Sequence, residues 1–272
     1  MNTRLYVSML FFCVLASGSV AVAADKPDTK DGLRPAKLVD TPVVPPQGKG
    51  WIKLFNGKDF TGWTGSTQNG IAHWRVKDGV IDCDALKGRG PSLITEKTYG
   101  DYVLHIEWRF KGTAGKPYNA KDIQPDGSHK KDSDGKEISI PTDNADSGIF
   151  FRGTGQSQIN LWCWPVGSGE LWGYRKNKNV PASTRAGCVP KVKADKPVGH
   201  WNKFIITAKG ETLSVVLNGK TVIDNVTLPG LPPTGKIVLQ HHGGYNAKKK
   251  SWSSASSLVQ FRNIWIKPLN KK

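Results

Sequence analysis

Apolar and polar positions alternate with a period of two along most of the chain, and no long stretch carries the period of a helix. The segment YVLHIEWRF, 102–110, sets the pattern. Tyr102, Leu104, Ile106, Trp108 and Phe110 fall on one face, and Val103, His105, Glu107 and Arg109 on the other. The segment QINLWCW, 158–164, repeats it. Ile159, Leu161 and Cys163 point one way, while Gln158, Asn160, Trp162 and Trp164 form a face of amides and indoles. WNKFIITAKG, GKIVLQHHG and SLVQFRNIWIKPL supply further strands. Asp78-Gly79 and Asn218-Gly219 each separate two β-branched runs and predict two-residue hairpin turns. PASTRAG, 181–187, predicts one helical turn. Many short strands and almost no helix predict an antiparallel β-sandwich.

Two regions interrupt the alternation. Residues 24–49 are rich in Pro, Lys and Asp without any sustained period, which predicts a flexible arm or linker before one domain spanning 50–272. Residues 111–144 are polar and long, which predicts a mobile surface loop. Their acidic residues Asp126, Asp132, Asp134 and Glu137 do not have EF-hand spacing. Residues 1–23 have the form of a secretory signal peptide: Arg4, an apolar run, then Ala21-Val22-Ala23 as a cleavage site. That run is too short to span a bilayer and no later one is long enough, so the expected product is exported, periplasmic or extracellular, with no membrane span.

Charge and cysteines change this picture little. The formal net charge is +17, from 39 Lys and Arg against 22 Asp and Glu. Export and the lack of a recognition motif argue against nucleic acid; the charge reads first as a solvated surface, with an anionic glycan or an envelope surface as the alternative, polyanionic partner. Beyond the leader, Cys83, Cys163 and Cys188 remain, an odd number that leaves room for a single Cys163–Cys188 bridge. There is no Gly-x-Ser-x-Gly elbow, phosphate-cradling loop, zinc-ligand spacing or nicotinamide fingerprint. No cofactor is required, and a divalent metal held by some of Glu107, Asp146 and His242 stays open.

Six motifs in order carry a resemblance: GWIKLFNGKDFTGW, VKDGVI, YGDYVLHIEWRF, DSGIFFRG, LQHHGG and FRNIWIKPL. Together they resemble the 3-keto-disaccharide hydrolase domain family over residues 48–269. The resemblance implies a concanavalin-A-like jelly-roll sandwich of two antiparallel sheets, with a carbohydrate held on the concave sheet. It also implies cleavage of glycosides already oxidised to a ketone at sugar carbon 3. The chain departs from the family pattern in having Asp146 where many members have Asn. It also lacks an acidic-x-Gln-x-x-Asp run around Gln158.

A 3-keto sugar has an acidified proton on carbon 2. A base can remove it and the substituent on carbon 1 then leaves, so the site needs a base, a donor to the enolate oxygen and an acid for the leaving oxygen. The candidate catalytic residues are Glu107, Asp146, Arg152 and His242. Glu107 is the first choice of base, with a surface salt bridge as its alternative. Asp146 opens a strand and could be a base, a metal ligand or an Asx-turn. The Arg152 fork could hold an enolate, or pair with an acid across the sheet. Of the two adjacent histidines a strand puts only one beside Gln240, and His242 matches the family's Leu-Gln-x-His-Gly form. The candidate substrate-binding residues are Gln158, Asn160, Trp162, Glu170, Tyr174 and Gln240, with Trp164 and Trp172 as further sugar platforms. The alternative to an enzyme is a non-catalytic, lectin-like module for a glycan or polyanion.

Overall fold

A computed structural model describes residues 32–269, apart from 69, 154 and 254. The segment expected to be a signal peptide, residues 1–23, and residues 24–31 lie outside the described residues. Two antiparallel sheets pack face to face, as the alternation predicts. The larger has eight strands, with Tyr102–Phe110 at its centre between Asn202–Lys209 and Val259–Pro268. The smaller has five, in the order Gln158–Trp162, Asp146–Phe150, Val238–Leu239, Leu93–Thr95 and Trp63–Gly65. Leu104, Ile106 and Trp108 from the first meet Ile149, Ile159, Leu161 and Leu239 from the second in one core. These side chains bury at most 2% exposed, and each contributes about 1.5–3 kcal/mol of apolar transfer.

The two predicted hairpin turns are present. Asp78 and Gly79 have φ of 52° and 76°, and Asn218 and Gly219 51° and 85°. Positive φ at both central residues suits the twist of the flanking strands, which is why Asp-Gly and Asn-Gly occupy these corners. The helical turn is there too, as Ala182–Gly187, and a second short helix runs Trp172–Lys176.

The two irregular regions are more organised than their composition suggests. Leu33–Pro35 pairs with Gly112–Ala114, and Val39 bridges to His200. The arm passes so close that a Cβ on Gly112 would lie 2.6 Å from the Arg34 carbonyl oxygen. Residues 39–44 then cross the outer face of the larger sheet. In the segment 111–144, the expected mobile loop is instead a paired hairpin. Tyr118–Lys121 aligns with Ser139–Thr142, and bridges Ile123–His129 and Lys131–Glu137 continue it. Its acidic residues cap turns: the Asp132 carboxylate accepts the amides of Asp134 and Lys136, and that of Asp126 the amide of Ser128. Cys83, Cys163 and Cys188 are all free thiols, so the Cys163–Cys188 bridge is not formed.

Candidate functional site

The site lies on the outer face of the smaller sheet, at its Gln158–Trp162 edge. Register decides what shares that face. Asp146 sits opposite Trp162, Gly148 opposite Asn160 and Phe150 opposite Gln158. Ile149 and Leu239 pair on the core side, so Gln240 and His242 emerge with Asp146. A cavity of about 410 Å³ forms here, walled by Asp146, Gln158, Asn160, Trp162, Gln240 and His242. The hairpin 118–142 and its exit add Tyr118, Asp143 and Asn144 to the same wall, and the short helix adds Trp172.

Each polar group is held by a specific local contact. A Cβ on Gly148 would lie 2.3 Å from Gln158 Nε2, so only glycine lets that amide lie across the strand. Gln158 Nε2 thereby donates to Gln240 Oε1 at 2.9 Å. Gln240 is left with its own amide N–H groups as donors. Asn160 Nδ2 donates to Glu170 Oε2 at 2.6 Å, which leaves Asn160 Oδ1 as an acceptor. His242 Nδ1 is 2.8 Å from the Ala255 carbonyl oxygen. A carbonyl only accepts, so Nδ1 carries the proton and Nε2 is the basic nitrogen of the neutral ring. Asp146 Oδ2 lies 4.0 Å from His242 Nδ1.

Burial acts on these two groups in opposite directions. It pushes the Asp146 carboxyl well above the usual carboxylate range, and the nearby Glu170 adds to the shift. It pulls the His242 imidazole below its ordinary value, against the opposing Ala255 hydrogen bond. Both shifts favour the uncharged forms, a carboxylic acid beside a neutral imidazole. The aromatic wall is a stack of three rings. Trp162 and Trp164 lie 4.0 Å apart with planes 4° from parallel, and Tyr118 covers Trp164 at 5.5 Å and 19°.

Residues 50–267 match the model of the 3-keto-alpha-glucoside-1,2-lyase-like domain. The chain belongs to this family. It is 25% identical over 219 residues to a 3-keto-disaccharide hydrolase of Bacteroides thetaiotaomicron, covering 77% of this chain and 68% of that protein. Among solved structures, a candidate glycosyl hydrolase of Parabacteroides distasonis is similar at a TM-score of 0.46 and 19% identity, over 82% of this chain and 95% of that one. A carbohydrate-binding module of Bacillus subtilis is similar at a TM-score of 0.38 and 13% identity, over 76% and 95%.

This member of the 3-keto-alpha-glucoside-1,2-lyase-like family does not bring all the sequence candidates together. Glu107 lies on the outer face of the other sheet. Arg262 Nε at 2.7 Å and Asn263 Nδ2 at 2.8 Å hold its two oxygens, beneath the arm. Arg152 is 1% exposed and donates to the carbonyls of Gly100, Gly210 and Pro232 and to Asp101, tying loops together. Tyr174 is 2% exposed in the core. Glu170 is fully buried behind Asn160, paired with Arg175, and supports the wall without facing the cavity. His241 packs against His73 and Trp74, and burial lowers its pKa to about 4. Asp146, His242, Gln158, Asn160, Trp162 and Gln240 do converge. Tyr118, Asp143 and Asn144 were missed because a polar run with no period hides a paired hairpin. Among the described residues no three His, Cys, Asp or Glu side chains converge on a metal position. The combination of Glu107 with Asp146 and His242 is separated by the whole sandwich.

Proposed function

We propose that this cavity cleaves glycosides carrying a ketone at sugar carbon 3, by elimination across carbons 1 and 2 and then hydration. The observation that supports it is Asp146 beside His242 in an aromatic-walled cavity of a chain from this family. His242 Nε2 takes the proton from carbon 2, and the electron pair is held as the enolate. Gln240, whose Oε1 is occupied by Gln158, donates an amide N–H to the ketone oxygen as charge develops there. The bond from carbon 1 to the glycosidic oxygen breaks, and that oxygen takes the Asp146 proton. Water then adds: Asp146 takes back a proton from it as its hydroxyl joins carbon 1, and His242 returns its proton to carbon 2, so the net reaction is hydrolysis and both residues are regenerated. Tyr118, 43% exposed at the end of the stack, offers its outer ring face to the sugar, and Asn160 Oδ1 accepts from one of its hydroxyls.

The test is release of a chromogenic aglycone from a 3-keto-glucoside and from its unoxidised parent. Turnover of the keto substrate alone is expected, with Asp146→Asn and His242→Ala each lowering kcat/KM by about 10²–10⁴. Activity should fall as pH drops through the lowered His242 pKa and as it rises through the raised Asp146 pKa. Sugar binding with no turnover of either substrate would leave the lectin-like module in its place.

A further inference from the structure

Behind Asn160 the cavity wall is backed by a buried ion pair that the reaction itself does not use. Glu170 and its partner Arg175, on the short helix Trp172–Lys176, are both buried. Glu170 Oε1 accepts from Arg175 Nε, and Oε2 accepts from Asn160 Nδ2. Arg175 Nη1 reaches the other way. It donates to the Gly127 carbonyl oxygen at 2.9 Å and meets His129 Nε2 at 3.3 Å. Both belong to the turn closed by the Ile123–His129 bridge, within the hairpin 118–142. Building on the catalytic reading above, we propose that Arg175 is a positioning residue for sugar binding. It aims the Asn160 amide, through Glu170, and it seats the hairpin that brings Tyr118 to the wall.

The Asn160 arm depends on charge. An amide can turn nitrogen or oxygen to its neighbour, and only nitrogen suits a carboxylate, so Glu170 leaves Asn160 Oδ1 for the sugar. Burial raises the Glu170 carboxyl, and Arg175 is the largest influence against it. Without the guanidinium, a buried carboxylate would stand uncompensated or take up a proton. A protonated oxygen could donate to Asn160 Oδ1 and turn the amide over. The hairpin arm depends on shape. Arginine only donates, so His129 Nε2 accepts, and Nδ1 carries its proton toward Glu137 Oε1 at 3.0 Å. Gly127 has a φ of 85°, and a Cβ there would lie 3.1 Å from Arg175 Cγ. The turn therefore sits directly on the arginine. A planar fork spans the carboxylate on one side and the turn on the other, which the single nitrogen of a lysine does not.

The experiment is a set of double-variant cycles read in kcat and KM on a 3-keto-glucoside. Arg175→Lys keeps a cation beside Glu170 and drops the contacts to the turn. It should raise KM several-fold with kcat nearly kept, because the turn it releases carries a binding residue. Glu170→Gln/Arg175→Met removes both charges together, the exchange least costly to the fold. It should raise KM by about tenfold, since both arms are lost. Tyr118→Ala should raise KM in the wild type and add little to either Arg175 variant. Asn160→Ala should likewise add little to the double variant. Hydrogen exchange of the amides in 118–142 should quicken in both Arg175 variants. A purely structural Arg175 would instead lower the denaturant midpoint and leave the losses multiplying. Multiplying losses, or an unchanged KM in both Arg175 variants, overturn the proposal. Calorimetry with the unoxidised methyl glucoside reads the same cycles without chemistry. Coupled losses there, with no turnover of the keto substrate, sink the catalytic reading and keep the positioning role. Turnover with independent losses does the reverse, and the absence of both turnover and binding sinks both.

Discussion

Two polar faces in this molecule look alike along the chain and behave oppositely in the fold. The outer face of Tyr102–Phe110 carries His105, Glu107 and Arg109; that of the smaller sheet's edge carries Asp146, Gln158, Asn160 and His242. In each, a carboxylate and an imidazole stand opposite a row of core residues. On the larger sheet, burial alone would raise the Glu107 carboxyl. His105 and the hydrogen bonds from Asn263 and Arg262 outweigh it, and Glu107 is held below its usual range. On the smaller sheet, Asp146 has no cation against it and burial wins. The first face is compensated and strapped over by residues 39–44. The second is left uncompensated and faces a cavity. Alternation places a carboxylate on a face, but what crosses that face decides whether it is structural or chemical.

The largest test of this contrast is stability. Glu107→Ala leaves Arg262 buried without its carboxylate, the two side chains being 9% and 7% exposed. It should cost about 3 kcal/mol, read as a lowered denaturant midpoint. Turnover per folded molecule should stay at the wild-type value. Asp146→Asn should do the opposite, lowering kcat/KM by about 10²–10⁴ with the midpoint unchanged or raised. A Glu107 variant that folds normally and loses turnover would return Glu107 to the chemistry.

The pH dependence of stability should split the two faces by sign. Glu107 has a lowered folded pKa, so its contribution is present above its unfolded pKa and lost as pH falls through the folded one. Asp146 has a raised folded pKa, so its contribution is present at low pH and lost as pH rises through that raised value. The stability of Asp146→Asn relative to wild type should therefore improve toward alkaline pH. Glu107→Gln should recover relative to wild type toward acid. Urea melts across the pH range read both slopes, and parallel curves for the two variants would break the comparison.

On the open face, Trp164→Ala removes the middle ring of the Tyr118–Trp164–Trp162 stack. The loss should be about 1 kcal/mol of sugar binding, read as a several-fold rise in KM with kcat nearly kept. A fall in kcat at constant KM would make the stack part of the transition-state machinery.

The fold was legible because its signals are local. Alternation in 102–110 and 158–164 and the Asp-Gly and Asn-Gly corners act over a few residues and survive any tertiary setting. The role of Glu107 was not, because its cover comes from afar. Thr41 reaches Arg262 and Val44 reaches Asn263 across most of the chain. An arm that lies on a sheet as a strap needs no periodicity of its own. The hairpin 118–142 hid for a related reason. Its strands are four residues each, and Ala120 and Ile140 on their inner face are too few to make a hydrophobic period, so Tyr118 and Asp143 could not be assigned to a wall. Asp146 and His242 were legible only through the motifs around them.

The smallest effect asks which part of the cover does the pinning. Asp40 accepts Arg109 Nη1 at 2.8 Å, but its side chain is 75% exposed. Arg109 keeps three other partners, Gln260 Oε1 at 2.7 Å, the Val39 carbonyl oxygen at 3.4 Å and the Trp201 ring at 4.3 Å, and Arg262 lies against the same ring at 4.0 Å. An exposed ion pair of this kind contributes under about 1 kcal/mol. Asp40→Ala should therefore shift the denaturant midpoint only slightly, with most of that shift removed by salt, whereas the Glu107→Ala shift should persist in salt. If Asp40→Ala proved as damaging as Glu107→Ala, the compensation of Glu107 would depend on the arm's charge. Arg262 and Asn263, within the sheet itself, would then be secondary.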